Sequence, residues 1–341
     1  PAQIVGTGAF RLARYLPGER IVFERNPYYW KRSAGGDELP YLDGIIFLIV
    51  QNQDAVVLKF LEGEVDYCAV RGIDYPLLKP LEAVKNFTLY EAGPDFGTNF
   101  LVLNQNRGVD PKSGKPFVEA KKLAWFTDLN FRRALAHAID QQKMIEIVKS
   151  GLGYPQIAAM SQSAGFFYNP NVPTYSYDLA KAAEILSQAG YRDRNGDGII
   201  EDPAGNPVEF NLYTNAGNPE RERIAAMIRR DLGQLGMKVN FLGMEFNALI
   251  QKLNASYDWD AVILGLTGGI EPHFGKNVWH STGQLHLWYP NQPVPASEWE
   301  RRIDEIFDQG VQELDPARRK LLYDEWQVIV SEQLPLIYTI L

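Results

Sequence analysis

The sequence predicts an α/β fold, in which helices cover a sheet. From residue 208 onward, short β-prone runs alternate with amphipathic helical runs in the order strand, helix, strand, helix, strand. The composition agrees, because 45 % of the 341 residues are hydrophobic and 22 % are charged, as in ordinary globular proteins with room for more than one core. No internal repeat or low-complexity tract is visible.

Bulk properties exclude several classes of function. The formal net charge of -8 argues against a nucleic-acid partner, which needs a clustered basic surface. The single cysteine, Cys68, rules out an intrachain disulfide, and we expect it to be a small buried side chain in a strand. No apolar run reaches the roughly 18 residues that a membrane span needs.

The first hundred residues begin with a predicted hairpin. Apolar runs at 10–15 and 21–23 flank Pro17 and Gly18, a pair typical of tight turns. After the hairpin, the first 97 residues are expected to continue in the order strand, helix, strand, helix, strand, with the helices over 54–62 and 74–81 and the last strand over 86–91. A further strand is expected over 97–104.

The remaining elements are mainly marked by helix caps. Residues 107–116 are rich in polar residues, Pro and Gly, and predict a loop. Asp128 or Asn130 is a suitable cap for the next helix, which Gly151 would end. Further helices are predicted over 178–189, 219–235, 247–255, 298–313 and 316–332, and strands over 208–214, 237–242, 259–264 and 334–341.

Three motifs near the start of the chain carry a family resemblance. Residues 6–10 read GTGAF, residues 17–30 read PGERIVFERNPYYW, and residues 41–45 read YLDGI. A later unit, AEILSQAGY at 183–191, fits the same pattern. In order and content these motifs resemble family 5 of the extracellular solute-binding proteins, which serve oligopeptide, dipeptide and nickel ABC importers.

The resemblance implies a periplasmic-binding-protein-like fold of type II, with two lobes of mixed sheets flanked by helices. Residues 1–97 would form part of lobe one, residues 98–330 would form lobe two, and residues 331–341 would return to lobe one. Compared with the family pattern, the chain is expected to be a fragment that lacks the N-terminal part and the C-terminal tail.

The implied function is solute capture between the lobes, hinge closure and delivery to an ABC permease in the membrane. The solute would be a peptide by family label, with no enzymatic activity, no cofactor and no nucleic-acid partner. The implied location is periplasmic or extracellular, with or without a membrane anchor. A sensor or chaperone on the same fold is an alternative, and it would have a partner other than a permease.

The richest candidate for the ligand site follows the strand at 259–264, because open α/β sheets bind ligands at the carboxyl ends of strands. Glycines allow close backbone approach, and aromatic faces beside amides suit peptides or sugars. An ordinary turn whose aromatic side chains cover the core explains the same pattern equally well. The candidate ligand-binding residues are Gly268, Gly269, Glu271, His273, Asn277, Trp279 and Trp288.

The loop departs from the family's peptide-binding members, which carry an aspartate there for the α-amine of the peptide. This chain has Gly268 and Gly269 at that point, with Glu271 two residues later. A strong charge-assisted anchor is therefore missing, and an oligosaccharide is a second candidate solute. A hydrolase that uses the carboxylates around Glu271 is a further alternative, and it would need a second carboxylate close by.

Two asparagines and one acidic loop complete the candidates. Asn215 follows the predicted strand at 208–214 and precedes a helix, and Asn99 lies in the predicted strand at 97–104. Both have amide groups that a ligand could use, although capping is the simpler role for the Asn215 region. Asp193, Asn195 and Asp197 follow the spacing of a calcium loop, but the twelfth position is Ala204 instead of glutamate. That pattern favours a solvated turn over a calcium site.

Overall fold

The computed structural model describes residues 4–290 and 292–341. The chain divides into two compact units, of which the first ends at Ala69 and the second begins at Val70. Among the described residues, no helix combines the length and the apolar character required to cross a bilayer.

The first unit contains an antiparallel sheet in the order β1-β2-β3. The predicted hairpin is confirmed, since Leu16 pairs with Arg20 across a turn in which Gly18 adopts φ 74°, a conformation that suits glycine. The elements of this unit are β1 (Phe10–Leu16), β2 (Arg20–Arg25), β3 (Gly44–Leu48) and α1 (Gln53–Leu61).

The second unit is built on a five-stranded mixed sheet in the order β6-β5-β7-β4-β8. Strand β5 is parallel to both β6 and β7, whereas β4 is antiparallel to β7 and β8. The α/β class with mixed sheets is therefore confirmed. The strands are β4 (Thr98–Leu103), β5 (Glu209–Asn215), β6 (Lys238–Met244), β7 (Ala261–Leu266) and β8 (Leu336–Tyr338).

Helices of the second unit mostly begin at a capping side chain that accepts a backbone N–H, which satisfies donors that the first turn leaves free. The caps of this kind on the longer helices are Asp128, Asp140, Asp178, Asn218, Ser297 and Asp315. The helices are α2 (Tyr75–Leu78), α3 (Glu82–Lys85), α4 (Ala120–Thr127), α5 (Leu129–His137), α6 (Gln141–Val148), α7 (Leu179–Gln188), α8 (Pro219–Gln234), α9 (Phe246–Gln251), α10 (Lys276–Trp279), α11 (Glu298–Gly310) and α12 (Pro316–Gln333).

Helices cover both faces of this sheet, and β4 shows how. Successive side chains of a strand point to opposite faces. Leu101 and Leu103 join a core with residues of α4 to α8, while Phe100 and Val102 join a second core with residues of α11 and α12. Because both faces are buried there, residues 100–103 of β4 are all apolar.

Some predicted segments differ from the structure. Residues 86–91 are irregular instead of forming a strand, and Cys68 is half-buried outside any strand. The two compact units divide between Ala69 and Val70, and β8 pairs with β4 in the sheet of the second unit. The assignment of residues 1–97 and 331–341 to lobe one, and of residues 98–330 to lobe two, stays a prediction.

Candidate functional site

Two of the predicted ligand-binding residues lie together at one edge of the five-stranded sheet. Asn215 is the last residue of β5, and Asn99 is the second residue of β4. Because β4 runs antiparallel to β7, Asn99 pairs with Gly265, near the end of β7. The carboxyl ends of β5 and β7 and the start of β4 therefore meet at this edge, which we call the polar edge (Asn99, Asn215, Arg221 and Gly265).

Arg221, which the sequence did not single out, links the two asparagines. Its Nη1 donates to Oδ1 of Asn215 at 2.9 Å, and its Nε donates to Oδ1 of Asn99 at 3.3 Å. Helix α8 places Arg221 here because Asn218 caps the helix by accepting from the Arg221 N–H at 3.1 Å, directly after β5. Capping, the simpler role expected for this region, is thus performed by Asn218.

Gly265 makes room for the Arg221 side chain. A Cβ atom built on Gly265 would lie 2.5 Å from Nη2 of Arg221 and 2.7 Å from Oδ1 of Asn99. Both distances are too short for any real Cβ contact. A glycine at this position thus leaves room for the guanidinium beside the end of β7, and a larger residue could not be accommodated without displacing it.

The charge of Arg221 is not matched by a carboxylate partner. Burial lowers the pKa of its guanidinium, and the nearby Glu220 opposes this effect, but an arginine stays protonated at neutral pH. Glu220 itself is engaged elsewhere, since its Oε2 accepts from Nζ of Lys149 at 2.9 Å. None of the ion pairs among the described residues includes Arg221. The polar edge therefore carries a net positive charge.

The two loop glycines differ in the space around them. A Cβ on Gly268 would overlap the carbonyl oxygen of Phe96, whereas a Cβ on Gly269 would have no heavy atom within 4 Å. The backbone at 268 thus packs directly on the segment that leads into β4. Only position 269 could carry a side chain without rearrangement.

Glu271 is held in a two-pronged ion pair with α12. Its Oε2 accepts from Nη1 of Arg319 at 2.7 Å, and its Oε1 accepts from Nη2 of the same residue. Burial alone would raise the pKa of Glu271, but the hydrogen bonds from Arg319 outweigh it and the pKa lies below its usual value. The carboxylate therefore fastens the loop to α12, which leaves it poorly placed to anchor an amine or to act as a catalytic group.

We expect the Glu271–Arg319 pair to stabilise the fold by about 1 kcal/mol, because a bidentate pair at a partly exposed site is stronger than a typical surface pair. Urea unfolding of Glu271→Gln, Arg319→Gln and the double variant measures this coupling energy in a double-mutant cycle. Additive effects of the two substitutions would show that the pair contributes nothing.

The aromatic candidates of the loop region lie in the core. Trp279 and Trp288 are 6 % and 1 % exposed and pack with Trp326 in the second core. They form part of the packed interior, in line with the alternative that aromatics cover the core. The accessible aromatic side chain is Phe274, which is 83 % exposed.

His273 and Asn277 also have partners within the protein. Nδ1 of His273 lies 3.4 Å from the Tyr323 hydroxyl, and burial lowers the pKa of this half-buried imidazole. Oδ1 of the exposed Asn277 accepts from the Gln284 N–H at 2.9 Å, which holds the turn after α10. Both contacts are structural, and a ligand contact at either residue stays a prediction.

The acidic loop brings three carboxylates together. One oxygen each from Asp193, Asp197 and Glu201 lies within 4.8 Å of the others, and Glu201 is the buried member. Asp193 accepts from the N–H groups of Gly196 and Gly198 at 2.7 and 2.9 Å, so the turn is held by its own hydrogen bonds. Asn195 supports it by accepting from the Asp197 N–H. The calcium site stays a prediction.

Comparison with known proteins identifies relatives along the whole chain. It is 30 % identical, over 356 aligned residues, to a probable ABC transporter-binding protein of Deinococcus radiodurans, covering 99 % of this chain and 58 % of that protein. Two solved structures share the fold. The first is the oligopeptide-binding protein AppA of Bacillus subtilis in complex with a nonapeptide (24 % identity, TM-score 0.76, 98 % of this chain and 60 % of that one).

The second is the periplasmic binding protein MelB of Agrobacterium fabrum C58 in complex with stachyose (20 % identity, TM-score 0.75, 98 % of this chain and 51 % of that one). The chain thus spans about half to three fifths of the length of these relatives. The neighbours are type II periplasmic binding proteins, which confirms the predicted fold class.

A family model decides the classification. The model of the bacterial extracellular solute-binding proteins, family 5, middle region, matches residues 1–284. These are the residues that carry both the opening motifs and the loop at 268–274. The chain therefore belongs to family 5 of the bacterial extracellular solute-binding proteins.

Proposed function

We propose that this chain is the substrate-binding component of an ABC importer, which captures a solute outside the cytoplasm and delivers it to a membrane permease. The observation that carries the proposal is the match of the family 5 model to residues 1–284. The Deinococcus radiodurans relative, described as an ABC transporter-binding protein, supports the same role. The proposed partner is a permease, the location is periplasmic or extracellular, and the protein has no catalytic activity.

The geometry supports solute binding at the polar edge. Ligands of open α/β sheets lie outside the carboxyl ends of the strands. Here Asn99, Asn215 and Arg221 converge at that end from β4, β5 and α8. A rigid set of polar groups that is fixed by mutual hydrogen bonds can orient a ligand with little loss of side-chain entropy.

The solute class is proposed as a peptide, in line with the family, and an oligosaccharide is kept as the second candidate. One structural relative, AppA, binds a nonapeptide, and another, MelB, binds stachyose. In this chain the loop has glycines at 268 and 269, and Glu271 is engaged with Arg319. The usual acidic anchor for a peptide amine is therefore missing from the loop, which is the observation that favours keeping the second candidate.

The proposal is tested by native mass spectrometry of the complete protein purified from its host, since tight binders of this kind retain their solute. We expect a bound small molecule that is released by denaturation. Calorimetric titration of the stripped, refolded protein with a peptide pool and with an oligosaccharide pool then assigns the solute class. A protein that carries no solute and responds to neither pool would contradict the proposal.

A further inference from the structure

Among the described residues, Arg221 forms no ion pair, although the charge of the neighbouring Glu220 partly offsets the effect of burial on its guanidinium. Its side chain is half-buried, and the groups that hold it are two neutral amide oxygens, of Asn99 and Asn215. Removing a charged group from water is costly, so such groups in proteins are normally paired with an opposite charge. Nearby, Lys149 follows this rule by pairing with Glu220 at 2.9 Å. Arg221 is the exception at this edge.

The guanidinium is also fixed in place. Nε and Nη1 each donate to an asparagine, while the described residues provide no hydrogen-bond acceptor for Nη2. Asn99 is itself oriented, because its Nδ2 lies 3.5 Å from the Ile340 carbonyl and so turns Oδ1 toward Arg221. The N–H groups that remain, one on Nη1 and two on Nη2, are therefore held in one orientation and can donate to a carboxylate.

We propose that Arg221 is the anion-recognition residue of the solute site, and that it pairs with a carboxylate of the solute. This inference rests on the proposed function and narrows it to solutes that carry an anionic group. The neighbouring acidic side chains of α8 do not serve as the carboxylate partner of Arg221. Glu220 pairs with Lys149, and Oε1 of Glu222 accepts from the Gly217 N–H at 3.0 Å without an ion pair to Arg221.

A purely structural role is the competing explanation, since Arg221 also ties β5 to β4. That role needs two N–H donors but no uncompensated charge, and it predicts no preference between charged and neutral solutes. Recognition of a carboxylate predicts such a preference. The two explanations therefore differ in solute selectivity and agree in their effect on stability.

The test compares two probes of equal size, N-acetyl-trialanine with a free carboxylate and the same peptide with a C-terminal amide. Affinities are measured by calorimetry on the complete, solute-free protein. We expect the acid to bind about tenfold or more tightly than the amide, as for a charged hydrogen-bonded pair. Arg221→Gln should abolish this ratio, Arg221→Lys should retain part of it, and Arg223→Gln, an exposed arginine on the same helix, should leave it unchanged.

Thermal unfolding of each variant shows whether it is folded. If Arg221→Gln does not fold, the comparison of Arg221→Lys with the wild type still tests the inference. Equal affinity for acid and amide, or a ratio that survives in Arg221→Gln, would overturn the inference. A co-purified solute without an anionic group would also overturn it, yet would support the proposed function. If neither probe binds, the inference is judged by the co-purified solute: an anionic group in that solute supports it, and the lack of one overturns it. If there is no such solute and the pools give no response, both proposals fail.

Discussion

Gly268→Ala is expected to displace the loop that follows β7 and to destabilise the protein by about 2 kcal/mol, in the range of overpacking at a site that cannot relax. The new methyl group would overlap the carbonyl oxygen and carbon of Phe96. Both neighbouring groups belong to the backbone, so no side-chain rotation can relieve the overlap. Because Phe96 lies shortly before Asn99, the shift should also disturb the polar edge and weaken the solute binding that we propose there.

Gly269→Ala is the matched control. A Cβ at this position meets no heavy atom within 4 Å, so we expect a change within about 0.5 kcal/mol. Urea unfolding of both variants beside the wild type measures the difference. Equal stability of the two variants would mean that the 96–268 contact is not as tight in solution as the structure has it.

The difference in space between Gly268 and Gly269 also bears on the residue expected to anchor the α-amine of a peptide. The family resemblance implies an aspartate in this loop as the anchor, and of the two glycines only Gly269 leaves room for a side chain. The absence of a carboxylate there fits the chemistry of the polar edge, where the uncompensated group is the cation of Arg221. The loop and the edge together favour an anionic or neutral solute group over an ammonium group.

Much of the fold could be predicted because its signals are local. Asp128 caps α5 as the sequence indicates, and α7 and α8 begin within one residue of the predicted starts at 178 and 219. The run at 86–91 failed as a strand prediction because a strand also needs a partner. In the sheet of the second unit, β4 already has β7 and β8 on its two sides. Intrinsic β-propensity alone does not reveal whether an edge is free.

The candidate site was harder to predict because its contacts are distant in sequence. Arg221 meets Asn99 across 122 positions, and Glu271 meets Arg319 across 48. The proximity of Asn99 to Asn215 could be guessed from strand ends, whereas a partner from a helix could not. Trp279 shows a second difficulty, since an aromatic side chain after a strand suits a ligand site and a core equally well, and the structure places Trp279 in the core.

Glu300 is expected to make the protein sensitive to acid between about pH 4.5 and pH 2. The carboxylate is 3 % exposed, and it accepts hydrogen bonds from Trp288 at 3.0 Å, from Gln292 at 2.8 Å and from Ser297 at 2.7 Å. Burial alone would raise the pKa of Glu300, but the contacts with His286 and these three donors outweigh it and lower the pKa from 4.5 to about 2.

Because the pKa of Glu300 is lower in the folded protein, acid should lower the free energy of unfolding. The folded state favours the ionised carboxylate. Its contribution to the free energy of unfolding is therefore fully present above the pKa that Glu300 has in the unfolded chain, and it is lost as the pH falls toward the lower pKa of the folded protein. A shift of this size corresponds to about 3 kcal/mol. Glu300→Gln cannot ionise, so it should be less stable than the wild type at pH 7, and this difference should shrink as the pH falls from 4.5 to 2.

Urea unfolding at pH 7, 5, 4 and 3 measures the effect, with Glu298→Gln as the control. Glu298 lies in the same first turn of α11, but its side chain is 85 % exposed and forms a surface ion pair with Arg301. The control should therefore follow the wild-type pH profile closely. If Glu300→Gln kept the same acid sensitivity as the wild type, the protons taken up on acid unfolding would belong to other carboxylates, and the buried network around Glu300 would contribute to stability through packing and neutral hydrogen bonds instead of charge.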